Sequence, residues 1–196
     1  MAEKTILIGC GIFQEEIEHI LREGRAGAVE AEWLEVGLHD DIERLEAVLT
    51  EAAERRRGQG RLAALFGAAC LPEMKKTAAA LGLPCLEARN CLAALAGEAE
   101  LKELEKNRTL VASPGWVRKM WLGRAGTTLG WKADDFRANF GRYDLILVLD
   151  PGLNPLTDEE IISCFDLVQV PIETRPCGLE HLRAALDDLL RRMNRQ

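Results

Sequence analysis

Three cysteines stand where short apolar runs give way to turns. Cys10 lies in Lys4-Thr-Ile-Leu-Ile-Gly-Cys-Gly-Ile-Phe13, Cys70 follows Phe66-Gly-Ala-Ala, and Cys91 follows Leu86-Glu-Ala-Arg-Asn. Thiolates bind zinc or iron–sulfur clusters, and a site with three protein ligands keeps one coordination position for water or substrate. The spacings of sixty and twenty-one residues match no local zinc-ribbon or ferredoxin pattern, so the thiols share a metal only if the fold gathers them. Two other uses stay open. A helix N-terminus beside a thiol favours thiolate and hence a metal-free reactive site, while cysteine is also among the most buried residue types and often merely packs.

The elements that must position these residues follow from hydrophobic pattern. Thr5 to Ile8 reads as a buried strand, and Gly9 and Gly11 free the backbone to turn around Cys10. A helix follows, with Phe13, Ile17, Ile20 and Leu21 on one face and a stop at Gly24 and Gly27. Val29 to Val36 alternates like a second strand, and Asp40 or Asp41 caps a helix to about Arg57. Arg61 to Phe66 is a strand, Pro72 opens a helix through Ala80, and Leu83 to Ala88 is a short strand. Residues 92–106 are helical with a break at Gly97, and Thr109 to Ala112 is a strand ending in Ser113-Pro-Gly-Trp116. Short helices over 114–123 and 133–140 flank a Gly123 to Gly130 loop, and Tyr143 to Leu149 is a further strand. The tail reads as a helix from Asp158, a strand at Asp166 to Ile172, a turn at Pro176-Cys-Gly178 and an amphipathic helix through Leu182, Leu186, Leu189 and Met193.

This alternation predicts one α/β domain over 1–196, with 153–196 open to being an appended C-terminal segment. Its architecture is Rossmann-like and three-layered, a mainly parallel central sheet with helices on both faces. In a parallel sheet the strand ends emerge on one rim, where ligands bind. Trp116 and the Gly123 to Gly130 loop are therefore expected to border a pocket on the cysteine-bearing rim, although Trp116, Trp121 and Trp131 equally suit an aromatic core. Cys85 and Cys164 read as core and Cys177 as a turn residue.

Composition narrows the function classes. A net charge of -7 and a pI near 5.2 argue against a nucleic-acid or anionic-membrane binder. Without an apolar leader or an apolar run of eighteen, the expectation is a cytoplasmic protein with reduced thiols. No P-loop, GxSxG or HExxH sequence is present. Gly9-Cys-Gly11 begins a dinucleotide fingerprint, but Gln14 holds its third position, and Glu30 or Glu32 only loosely matches the ribose-binding acid. A metal-free nucleotide- or small-ligand-binding module, using Gly9, Gly11 and Trp116, is thus the alternative to a metal site. Whether the chain is an enzyme is left open.

Several landmarks in order resemble the DUF1638 family: the Ile6 to Cys10 strand and cysteine, Trp33-Leu-Glu-Val-Gly-Leu-His-Asp40, Gly67 to Cys70, Arg89-Asn-Cys91, and Ser113-Pro-Gly-Trp116. The chain departs from the family around Gly67 to Cys70, where relatives are more glycine-rich. The resemblance implies that Cys10, Cys70 and Cys91, with His39, are the residues of interest. It also implies an association of some members with corrinoid-dependent methyl transfer, hence a corrinoid or methyltransferase partner, but no activity. His39, between Leu38 and two aspartates, is either a fourth ligand or a local cap or surface residue.

Overall fold

The computed structural model describes residues 4–24 and 29–194, so Gly27 of the predicted helix stop lies outside the described residues. The chain forms two compact units: residues 1–95 together with 180–196, and residues 96–179.

In the first unit, β1 (Thr5–Cys10) lies between β2 (Val29–Leu34) and β3 (Arg61–Leu65), and all three run parallel in the order β2-β1-β3. Parallel strands need crossovers, supplied by α1 (Gln14–Glu23) and α2 (Ile42–Arg56). Moving out to β2 and back past β1 with right-handed crossovers places these helices on opposite faces. On the α2 side, Ile8, Ala64 and Phe66 pack with Leu45, Leu49, Ala52 and Ala53, and with Met74 and Ala78 of α3 (Met74–Ala80). Asp41 caps α2 by accepting the Arg44 N–H at 3.0 Å, as the sequence predicts. The predicted strand at Leu83 to Ala88 is instead an extended segment with a single parallel bridge, Ala64 to Cys85. Pro84 has no N–H to give a ladder; its carbonyl accepts from Ala64 (2.8 Å), and Ala68 N–H donates to Ala88 O (2.8 Å). The segment still runs alongside β3, so strand directions in this unit follow the order 2-1-3 with a fourth extended stretch beyond.

The helical run breaks at Gly97 as expected, with φ at +83° between α4 (Cys91–Ala96) and α5 (Glu98–Glu105). In the second unit β4 (Thr109–Ala112), β5 (Leu145–Asp150) and β6 (Ile172–Pro176) form another parallel sheet in chain order. α6 (Pro114–Trp116) runs into a π-helix (Val117–Ala125) that absorbs Gly123, so the predicted glycine loop begins later. α7 (Ala133–Phe140) and α8 (Asp158–Val168) follow. The strand predicted at Asp166 to Ile172 is displaced. Cys164 and Val168, four residues apart and both buried, carry α8 to Val168; Gln169 ends it in a left-handed conformation, and the strand starts at Ile172. Arg118 of the π-helix fastens this region: it forks onto Glu160 (2.5 and 2.7 Å) and donates to the carbonyls of Asn154 and Pro155.

The chain returns to the first unit through α9 (Glu180–Met193), whose Leu182, Leu186, Leu189 and Met193 are buried. Arg61 donates to the Met193 carbonyl (3.1 Å) and Arg192 to that of Cys85 (2.7 Å), tying α9 to β3 and its neighbouring segment. The molecule is thus α/β with parallel sheets flanked by helices, the strands being shared between two sheets. Among the described residues, no helix is long and apolar enough to cross a membrane.

Candidate functional site

The order β2-β1-β3 reverses direction between β1 and β3, and open α/β sheets bind ligands outside the carboxyl ends of strands at such a point. Cys10 is the last residue of β1, and Cys70 stands five residues beyond β3. Cys91 follows the extended segment beside β3 and opens α4. The three thiols therefore come from adjacent rows of one unit and emerge at its carboxyl edge.

Two backbone features hold the second and third thiols together. Ala69 N–H donates to Arg89 O at 2.7 Å, extending the Ala68 to Ala88 bond by one residue. Gly67 permits the approach: a Cβ there would lie 2.6 Å from Asn90 Cα, 2.7 Å from Arg89 O and 2.8 Å from Asn90 N. Cys70 then turns back, its N–H bonded to Gly67 O (3.1 Å), and Asn90 starts α4 by accepting the Ala93 N–H (2.8 Å). Gly67 and Asn90 were not marked as site-building by the sequence. The signals present were a glycine directly after a strand and an Asn directly before a helical run.

Cys10 adds to the proton affinity of Cys70, and both add to that of Cys91. Burial pushes the Cys91 thiol up to about 12, the proximity of Cys70 and then Cys10 adds to this, and hydrogen bonds from the Leu92 and Cys91 backbones oppose it. Burial pushes Cys70 up to about 11, against a backbone hydrogen bond from Gly67 and with Cys10 contributing. The expectation that helix N-termini would hold these groups as thiolates is therefore reversed at Cys70 and Cys91. Desolvation and mutual repulsion outweigh a few N–H groups at the start of a helix, and at neutral pH both are thiols. Cys10 and Cys70 also touch the apolar cluster beneath them. Among the described residues, no group of three or more His, Cys, Asp or Glu is already arranged to hold a metal ion.

His39 lies in a short turn after β2 (Leu38–Asp40), and its Nε2 stands 3.5 Å from Asp40 Oδ1. Its near partner is thus a local aspartate. Gly9 and Gly11 each have a packing reason to lack a side chain. A Cβ at Gly9 would sit 2.8 Å from Leu65 Cβ, and one at Gly11 3.3 Å from Leu34 O. Glu30 and Glu32 lie within β2 and are neutralised there, Glu30 by Lys4 (2.6 Å) and Glu32 by Arg55 and Arg56. The acid at that strand's carboxyl end, Glu35, is paired with Arg44 (2.5 Å).

In the second unit, Ser113 accepts the Trp116 N–H and so caps the helix that carries the tryptophan from the carboxyl end of β4. Trp116 and Trp121 meet edge to face at 4.8 Å, five residues apart in a segment of π-type i to i+5 winding. Phe140 packs at 4.8 Å from Trp121. Trp121 is buried, so it is a core aromatic, while Trp116 keeps partial exposure. Cys164 is a core thiol pushed up to about 12 by burial, with Glu160 adding, and Cys177 sits in the turn after β6 with its N–H on Asp150 O (2.9 Å). All six cysteines are thiols without disulfides.

A family model described as "Protein of unknown function (DUF1638)" matches residues 33–186. No curated protein and no solved structure matches the chain.

Proposed function

Taking as premise that the chain belongs to the DUF1638 family, we propose that Cys10, Cys70 and Cys91 take up a soft metal, zinc or an iron–sulfur cluster, at the carboxyl edge of the first unit's sheet. The observation that carries this reading is that Cys10, Cys70 and Cys91 follow three neighbouring rows of one unit at its carboxyl edge, with Cys10 adding to the proton affinity of Cys70 and both adding to that of Cys91. A cation reverses the electrostatic penalty, since a coordinating thiol is deprotonated by the metal.

The donor set fits the group. Three sulfurs are soft ligands, and a fourth position left to an exogenous group is the arrangement of a reactive rather than a closed site. Because the thiols are not already arranged as a chelate, uptake draws the loops at 67–70 and 88–91 together with Cys10 and releases protons. His39 is on the same sheet edge and is the candidate to exchange Asp40 for the metal. Corrinoid-linked methyl transfer, the setting the resemblance implies, is carried in this proposal as the reaction such a site would serve or assist; no residue of this chain is assigned to a corrinoid. The second reading, a metal-free nucleotide module, has the 2-1-3 strand order at Gly9 and Gly11 in its favour, while Trp116 belongs to the other unit. Against it stands the fact that the acids near β2 are already paired.

Anaerobic purification followed by elemental analysis and an absorption spectrum tests the proposal. The wild-type chain should carry zinc, or iron with sulfide, and the C10S/C70S/C91S variant should lose it while keeping its circular dichroism. Equal metal content in the two proteins would sink the reading.

A further inference from the structure

We infer that the outer edge of β2 is an interface on which a second copy of this chain pairs antiparallel, joining two first-unit sheets across a two-fold axis at Ala31. The inference stands apart from the metal reading. Arg61 N–H donates to Lys4 O (2.8 Å), so Lys4 and every second residue after it face β3, while Thr5, Leu7 and Gly9 face β2. In register with these, Glu30, Glu32 and Leu34 bond to β1, which directs the N–H and C=O groups of Val29, Ala31 and Trp33 outward. Among the described residues no further strand takes up these groups. The far side of β3 differs, since Ala64 N–H there donates to Pro84 O.

Sheet edges are ordinarily blunted by proline, a bulge or uncompensated charge. β2 contains no proline and holds register with β1 without a bulge. Its charges are compensated, Glu30 by Lys4 (2.6 Å) and Glu32 by Arg55 and Arg56. On β6, by contrast, the outward groups belong to Ile172, Thr174 and Pro176, because Ile146 N–H donates to Pro171 O and Cys177 N–H to Asp150 O; Pro176 has no N–H to offer. The outward groups of β2 are also self-complementary. Pairing centred on Ala31 sets Val29 against the partner's Trp33 and Ala31 against the partner's Ala31, with two hydrogen bonds per pair, and no other antiparallel register pairs all three residues with one another. Val29 with Trp33 is a favourable β-branched and aromatic cross-strand pair, and it occurs twice. Trp33 is already fixed by donating its indole N–H to Glu18 (2.9 Å), so association need not order it. On the other face Glu30 stands opposite the partner's Glu32. Like charges so placed oppose pairing, but each arrives with its own cation. A foreign strand would have to match this spacing, whereas a second copy does so by symmetry.

Sedimentation equilibrium of the full chain under reducing conditions, from low micromolar to millimolar concentration, tests the inference together with residue-resolved amide exchange by NMR. The expected result is a reversible monomer–dimer equilibrium in which exchange at Val29, Ala31 and Trp33 slows about tenfold or more at high concentration. Glu30 and Glu32, already bonded to β1, should change less. Ala31→Pro removes the central donor of each copy without touching a bond to β1 and should raise the dimer Kd about tenfold or more. A chain that stays monomeric over the whole range overturns the inference and leaves the edge to a foreign strand or to water. A dimer whose exchange at residues 29, 31 and 33 does not depend on concentration overturns it as well, and this wild-type readout decides the matter even where A31P fails to fold. So does an A31P protein of unchanged circular dichroism that dimerises as tightly as the wild type.

Discussion

Gly67→Ala is the most direct test of how the thiol loops are brought together. The added Cβ would meet three backbone atoms of residues 89 and 90 at 2.6–2.8 Å, about 1 Å inside the usual carbon contact of roughly 3.5–4.0 Å. No side-chain rotation relieves a clash with backbone, so the strands must part. Parting by that amount stretches the Ala68–Ala88 and Ala69–Arg89 bonds from 2.8 and 2.7 Å to about 3.7 Å, beyond hydrogen-bond range. Two lost bonds at about 1 kcal/mol each, with residual overpacking of about 1 kcal/mol or more, give a destabilisation of roughly 2–4 kcal/mol. For a chain of this size that lowers Tm by about 5–15 °C. Thermal and urea denaturation of G67A measure it, with Gly58→Ala as control. Position 58 has open space but φ at +78°, so it carries only the left-handed backbone cost of about 1–2 kcal/mol. A G67A protein within 0.5 kcal/mol of wild type, with unchanged metal uptake, would refute the account of the close approach.

Other outcomes follow from the same structure. Folded-state values near 11 and 12 for Cys70 and Cys91 exceed the unfolded thiol value of about 8.5. The native state therefore holds protons that the unfolded chain gives up, and stability should fall as pH rises above about 8.5. Urea midpoints of metal-free protein between pH 7 and 10 should show this decline, and C70S/C91S should make it shallower, leaving the part due to Cys164 and Cys85, whose thiols burial also pushes up. Arg118→Ala removes the fork on Glu160 and two carbonyl bonds and should cost about 1–2 kcal/mol, toward the low end for charged hydrogen bonds because the pair is partly exposed. Arg118 also holds the Glu160 carboxyl below the usual range. The wild type should therefore lose stability as pH falls through the acid range, and R118A should lose less over the same range, as seen in acid-induced unfolding monitored by tryptophan fluorescence.

The parts of this molecule legible in its sequence are those whose signals are local. The apolar run at Thr5, the Asp41 cap and the break at Gly97 each act through residues next to them. The strand expected at Asp166 failed because a helix already capped by Thr157 and Glu160 keeps burying residues four apart, which a short apolar run does not reveal. The candidate cysteines were picked out by their place after apolar runs. Their protonation was not, because burial and the nearness of the other thiols are products of the fold. Gly67 looked like a strand terminator, and its role as a contact surface needed the position of Asn90, twenty-three residues later.

The first unit is interrupted in sequence: residues 96–179 are laid down before α9 returns to it. A ribosome adding about 5–20 residues per second spends on the order of ten seconds on that interval. Throughout it β3 exists without α9, to which Arg61 later bonds at the Met193 carbonyl and whose Leu182, Leu186, Leu189 and Met193 are buried in the finished fold. The second unit has no such wait, since its sheet is contiguous in sequence. The nascent chain thus carries an incomplete first unit while its downstream neighbour matures, and the half that holds Cys10, Cys70, Cys85 and Cys91, although it begins first, is completed last.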